Sequence, residues 1–266
     1  MGDTLKIVVL VKHVPDAQFD RHIGPEQRLE RSESILSELD EYALEAALQL
    51  SEARGGDKAG NQVIALTMGT PDAANALKKA LQIGASSGVH VTDDALAGSD
   101  AWATSLALAA AIRAIGDVDL VLTGMASTDG ETSLVPAQLA ERLSLPQLTF
   151  ASSLDVDGRT AVIRRDGDAS SDTVEAELPA VVSVTDQINE PRYPNFKGIL
   201  AAKKKKIATF GIADLGLEPG QVGAAGSLTS VEQADPRPPR TAGTIITDEG
   251  DAGLKLVDFL AAQKLI

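Results

Sequence analysis

The most constraining feature of this chain is an alternation. Short apolar runs at residues 5–11, 62–68, 88–91 and 120–122 are separated by stretches whose apolar side chains recur at helical spacing. The first such stretch, with Ser37 as a candidate cap, places Leu39, Tyr42, Ala43, Ala46, Ala47 and Leu50 on one face and stops at Gly55-Gly56. The second opens at Thr70-Pro71, carries Ala73, Ala76, Leu77, Ala80 and Leu81, and ends at Gly84. The third runs from a cap at Ser99 or Asp100 to about Ile115. Unbroken apolar runs read as strands buried on both faces, and strands alternating with helices predict an α/β parallel sheet covered on both sides. In such sheets ligands bind beyond the carboxyl ends of the strands. Three loops, at residues 11–16, 68–70 and 124–135, are therefore expected to converge.

The last of these is the sharpest signal. Leu120-Val121-Leu122 is followed by the break at Gly124, then by the small polar residues 127–133, then by a helical period through Leu134, Leu139, Ala140 and Leu143. Strand, polar loop and helix N-terminus in that order make an anion site, because unpaired backbone N–H groups and the positive end of the helix dipole face one point. The same pattern also serves as an ordinary turn of a parallel sheet. Asp129 is out of place beside a phosphate, since like charges repel, and reads better as a brace for the loop.

Composition removes several other functions. A formal net charge of -14 argues against nucleic acid or anionic membrane as a partner. No apolar run approaches the roughly 18 residues of a spanning helix. The N-terminal residues enter a strand at once, without the flanks of a signal or transit peptide, so a soluble cytoplasmic protein without membrane insertion is expected. With zero cysteines, thiolate chemistry and disulfides are excluded, and the three histidines (His13, His22, His90) are scattered too widely to build a metal site. Neither a G-x-x-x-x-G-K-[ST] loop nor a paired-carboxylate metal site of recognisable spacing is present.

Beyond Pro146 the period shifts towards 2. Residues 149–154 and 160–165 flank Asp157-Gly158 as a β-hairpin, and 173–178 and 180–185 continue as strands. Residues 17–33 read as a charged excursion turning at Gly24-Pro25. Residues 214–243 are rich in Gly and Pro, with PRPPR at 236–240, and predict an extended arm before a short helix at about 251–264. An arm with so little to bury is expected to lie on another subunit. The lysine run at 203–206 fits a solvated face or a docking surface equally, and Phe196 fits a core residue or an exposed anchor.

Assembled, these residues resemble the beta subunit of electron transfer flavoprotein, nearly end to end. GMASTDGETSLVPAQLA, from Gly124, is similar to that family's adenine-nucleotide loop; NEPRYPNFKGILAAKKKK, from Asn189, matches its N-E-P-R-[YF] segment and lysine run; Arg240-Thr241-Ala242-Gly243 is similar to its closing R-T-A-G. The resemblance is to a bacterial, actinobacterium-like member. It implies a Rossmann-like three-layer parallel sheet of the adenine-nucleotide alpha-hydrolase kind, with a β-hairpin extension and an extended C-terminal arm. The implied division is residues 1–186 as the nucleotide-binding domain, 187–206 as a partner-recognition loop, and 207–266 as an arm and helix packing on an alpha subunit.

The resemblance further implies an electron carrier rather than an enzyme. AMP would be held structurally in this chain, and FAD mainly by the alpha subunit. Acyl-CoA and related dehydrogenases would supply electrons, as in fatty acid beta-oxidation, and a membrane quinone oxidoreductase would receive them. The family's nucleotide contacts fall on Leu10, on Ser37, Glu38, Leu39 and Asp40, and on Met68. They continue through the loop at Gly124, Met125, Ala126, Ser127, Thr128, Asp129, Gly130, Glu131, Thr132, Ser133, Leu134 and Val135. Its partner contacts fall on Asn189, Glu190, Pro191, Arg192, Tyr193, Phe196 and Ile199. Three positions depart from the family: Ala126 replaces a Gln, Ser37 replaces an Asn, and Ala17 replaces an aromatic near the flavin. Two other readings stay open. Asp129-Gly130-Glu131-Thr132 resembles the string of electron-bifurcating relatives, in which a second FAD replaces AMP, and the same fold also serves ATP-using enzymes.

Overall fold

The computed structural model describes residues 4–24, 27–236, 238–240 and 242–266. Pro25 of the expected turn, and Arg237 and Thr241 of the expected arm, lie outside the described residues. The chain divides into a main unit, residues 1–233, and a second unit, residues 234–266.

The main unit opens with strand β1 (Lys6–Leu10) and a short antiparallel pair that the sequence did not reveal, β2 (His13–Pro15) with β3 (Ser34–Leu36). Helix α1 (Glu38–Ala53) follows, then β4 (Gln62–Met68), α2 (Ala74–Ile83), β5 (Ser87–Val91), α3 (Ala101–Ile115), β6 (Leu120–Gly124) and α4 (Val135–Leu143). The antiparallel part comprises β7 (Gln147–Asp157), β8 (Thr160–Asp166) and β9 (Ser171–Glu177), after which β10 (Ala180–Val184) returns to the centre. Helix α5 (Phe196–Ala202), strand β11 (Ile207–Phe210) and the single turn α6 (Gly223–Gly226) complete the unit.

All strands but β2 and β3 form one sheet, in the order β11-β5-β4-β1-β6-β10-β7-β8-β9. Pairing is parallel from β11 to β7 and antiparallel from β7 to β9. Alternate side chains of the parallel strands feed two cores. Ile7, Val9, Leu120 and Leu122 pack on one face with Leu44 and Ala47 of α1 and Leu77 of α2; Val8, Leu66 and Val121 pack on the other with Leu108 and Ile112 of α3 and Leu139 of α4. This is the expected three-layer α/β sandwich with a hairpin extension.

Two segments differ from the sequence reading. Residues 180–184, expected to continue the hairpin strands, are buried throughout and lie parallel between β6 and β7. Their unbroken Ala-Val-Val-Ser-Val run is what a strand covered on both faces requires. Residues 207–233, expected as the start of the arm, belong to the main unit: β11 is an edge strand, and Ile212 and Val222 sink into the core beside α3. In the second unit, helix α7 (Ala252–Ala262) leaves Leu254, Leu256, Val257 and Phe259 exposed and has no buried residue. Among the described residues no helix is long and apolar enough to cross a membrane.

Candidate functional site

The carboxyl ends of β1, β4 and β6 meet at an open cleft. Its apolar walls come from Leu10, Leu66, Met68, Leu108 and Val135, and its polar edge from Lys12, Asp40, Ser127, Thr132 and Ser133. Of the residues expected from sequence, Leu10, Asp40, Met68, Gly124, Ala126, Ser127, Thr132, Ser133 and Val135 line it. Ser37, Glu38, Leu39, Met125, Thr128, Asp129, Gly130, Glu131 and Leu134 flank the lining without forming it. Leu134 is half exposed and Glu38 points to solvent.

Packing around Gly124 explains why the strand ends in a glycine. A Cβ at Gly124 would stand 2.8 Å from Asp40 Oδ1 and 2.8 Å from the Leu39 carbonyl oxygen. The first turn of α1 therefore rests directly on the end of β6. Asp40, buried in that turn, accepts the Lys12 backbone N–H at 2.8 Å. Ser37 holds the N-cap position as expected, but its hydroxyl makes no capping bond. Its backbone N–H is spent on the Lys12 carbonyl at 2.9 Å, and its Oγ lies buried without a partner among the described residues. Thr70 likewise makes no side-chain cap: Pro71 opens a 3-10 turn and α2 begins only at Ala74. Asp100, rather than Ser99, caps α3 by accepting from the Ala103 N–H at 2.9 Å.

Burial raises the Asp40 carboxyl to about 7, against the downward pull of the Lys12 and Gly124 N–H groups and the Lys12 charge, with Asp129 adding a further upward push. An acid whose folded-state pKa lies above its ordinary 3.8 stabilises the fold fully below that value. The contribution is lost as pH rises through about 7. Asp40→Asn keeps an acceptor for the Lys12 N–H and removes the titration. Urea denaturation from pH 4 to 8 should show wild type losing roughly 2–4 kcal/mol relative to Asp40→Asn over that window. Parallel pH profiles would show that Asp40 is already ionised at pH 4.

The loop after Gly124 is braced from outside. Asp129, with only 4% of its side chain exposed, receives Lys12 Nζ at 2.8 Å and the Arg31 guanidinium, and Arg21 Nη2 donates to the Thr128 carbonyl at 2.8 Å. Burial alone would raise the Asp129 carboxyl, but the two cations override it and hold it well below the usual carboxylate range. The expected bracing role thus has its partners. Arg31, within the charged excursion, carries no sequence signal that would have singled it out; Lys12, directly after the first strand, could have been suspected from that position. Thr104 and Leu108 of α3 also line the cleft unforeseen.

Within the loop, Glu131 (φ 49) and Ser133 (φ 53) adopt left-handed backbone, strained for non-glycine residues and typical of concave anion sites. The N–H groups of Gly130 and Glu131 are taken by Ser127; among the described residues no acceptor bonds those of Thr132, Ser133 or Leu134. With Asp129 neutralised, this edge suits a phosphate and the apolar wall suits an aromatic base, so the residues fit a nucleotide. Among the described residues no cluster of three His, Asp or Glu could hold a metal ion.

The second expected site divides in two. Tyr193 and Phe196 are 89% and 77% exposed, while Asn189 and Arg192 turn inward onto α1. Ile199 and Leu200 are partly exposed beside Phe196. Of the lysine run, Lys205 is not a free surface charge: its Nζ donates to the carbonyls of Leu81, Gly84 and Ala85 at the end of α2.

Comparison with known proteins identifies relatives of the chain. The electron transfer flavoprotein domain matches residues 28–215. Electron transfer flavoprotein subunit beta of Mycobacterium leprae is 44% identical over 263 residues, covering 98% of this chain and 99% of that protein. The Mycobacterium tuberculosis subunit is 43% identical over the same length. Subunit CarD of the caffeyl-CoA reductase-Etf complex of Acetobacterium woodii is 35% identical over 246 residues, covering 91% of this chain and 92% of that protein. On this likeness, the chain belongs to the electron transfer flavoprotein beta-subunit family.

Proposed function

We propose that this chain is the electron-carrier beta subunit of a heterodimer in which it holds AMP as a structural ligand and helps enclose FAD carried mainly by an alpha subunit. The observation that carries the reading is the cleft: an apolar wall, loop N–H groups that no acceptor bonds among the described residues, and an Asp129 neutralised by its cations. Bound flavin supplies the redox chemistry. This chain's residues bind, orient and dock. The exposed apolar residues of α7 in the second unit are the surface the alpha subunit would cover. Acyl-CoA and related dehydrogenases would engage Tyr193, Phe196 and Ile199, and a membrane quinone oxidoreductase would take the electrons onward.

Co-purification with the alpha subunit, denaturation and counting of released nucleotides tests the reading. One FAD and one AMP per heterodimer is expected. Two FAD and no AMP would establish the second reading, a bifurcating-type subunit, which the Asp129-Gly130-Glu131-Thr132 string favours. Phe196→Ala is expected to lower electron acceptance from an acyl-CoA dehydrogenase by about tenfold at limiting carrier, as loss of an exposed aromatic anchor does, with FAD content unchanged. Equal rates for the variant and wild type would remove Phe196 from the interface.

A further inference from the structure

Residues 189–202 present their apolar side chains from a stem that is tied down by an unusual number of bonds. Arg192 lays its guanidinium across two carboxylates of α1: Nε reaches Glu45 Oε2 at 2.7 Å, Nη2 reaches Glu45 Oε1 at 3.0 Å and Glu52 Oε2 at 2.9 Å, and Nη1 reaches Glu52 Oε1. Glu45 and Glu52 are seven residues apart, about two helical turns, so both face the same side. Glu45 is buried, and Gln49 Nε2 fills a remaining acceptor position at 2.9 Å. A buried carboxylate without its cation is strongly unfavourable, so the guanidinium is committed inward. Its planar donor fork matches two carboxylates as a lysine ammonium could not.

Neighbouring bonds extend the clamp. Asn189 Nδ2 donates to the Tyr42 carbonyl at 3.0 Å, and the Asn195 side chain caps α5 by accepting from the Gly198 N–H at 2.8 Å. Gly198 itself lies against α2, where a Cβ would stand 2.4 Å from the Gln82 carbonyl oxygen. Tyr193 and Phe196, between these ties, stay in solvent. A side chain held ready in this way loses less freedom when it binds.

We infer that Arg192 is a positioning residue: it clamps the loop stem to α1 so that Phe196 is presented to a partner in one geometry, and it makes no partner contact of its own. The inference rests on the docking reading above and revises the sequence expectation that Asn189 and Arg192 touch the partner.

A double-mutant cycle on the intact heterodimer tests it, with an acyl-CoA dehydrogenase and its acyl-CoA substrate as the electron source. Arg192→Ala should raise the half-saturating carrier concentration by about fivefold to tenfold with the limiting rate preserved. Arg192→Lys, a cation without the fork, should fall between. Amide exchange across residues 189–200 of the free heterodimer should quicken in Arg192→Ala. In the Phe196→Ala background, Arg192→Ala should add less than about twofold, because the main anchor that the clamp positions is gone. Effects that multiply would mean that Arg192 contacts the partner directly and would overturn the inference. A silent Arg192→Ala beside an impaired Phe196→Ala would overturn it too, while a silent Phe196→Ala sinks the docking reading instead. Should Arg192→Ala fail to fold, Glu52→Gln weakens only the outer, solvent-facing arm of the clamp. It should shift half-saturation in the same direction by a smaller factor, and an unchanged value overturns the proposal.

Discussion

Gly124→Ala is expected to cost about 3 kcal/mol or more and, on the proposed function, to release the nucleotide. Overpacking a tight interior contact costs about 1–3 kcal/mol when side chains can yield, and here the opposing atoms are largely backbone. The added methyl would meet the Leu39 carbonyl oxygen and Asp40 Oδ1, both at 2.8 Å. Relief requires the first turn of α1 to lift from the end of β6. That turn carries Asp40, which lines the cleft, and Asp40 in turn holds the Lys12 backbone. Thermal denaturation and nucleotide counting on the purified heterodimer would measure both effects. An unchanged midpoint with full nucleotide content would show that α1 can shift without disturbing the cleft.

Asp129→Ala is expected to destabilise by about 2–3 kcal/mol at neutral pH. Removing a buried carboxylate from its cations costs about 3–5 kcal/mol in fully buried pairs, and Lys12 and Arg31 are each more than a third exposed, so solvent reduces the figure. The pH dependence distinguishes this ion cluster from packing. Asp129 has a folded-state pKa held below its ordinary 3.8, so its contribution is present above that value and is lost as pH falls towards and through the depressed one. Wild type and variant should differ most above about pH 5 and converge in strong acid. A difference that persists undiminished at the acid end would assign the loss to packing. The cluster also ties the loop after β6 to β2, because Arg31 Nη1 donates to the His13 carbonyl at 2.9 Å while its other arm holds Asp129.

Much of the fold was legible because burial on both faces leaves a simple mark. Leu120-Val121-Leu122 and the stripe of Ala76, Leu77, Ala80 and Leu81 announce a strand and a helix whatever surrounds them. The edges were less legible. Strand β11, with partly exposed Ile207 and Phe210, has no run long enough to separate it from a loop, and it exists because β5 offers it a parallel edge. Ser37 shows the same limit at a single residue: a serine before a helix reads as a cap, yet its hydroxyl is buried without a partner among the described residues while its backbone is bound to Lys12, between β1 and β2.

The sequence by itself determined the parallel α/β class, the strand-loop-helix cradle at residues 120–143 and the family, since each rests on local periodicity or on a contiguous motif. Only the tertiary structure decided which charges meet. Asp129 with Lys12 and Arg31, and Arg192 with Glu45 and Glu52, are pairs separated by 98 to 147 residues. A charged side chain has no period of its own, and its partner is chosen by where the sheet brings distant segments together. The loop at Gly124 and the loop at Phe196 could each be named from their residues. That both rest on α1, one on its first turn and one along the rest of its length, is a property of the fold.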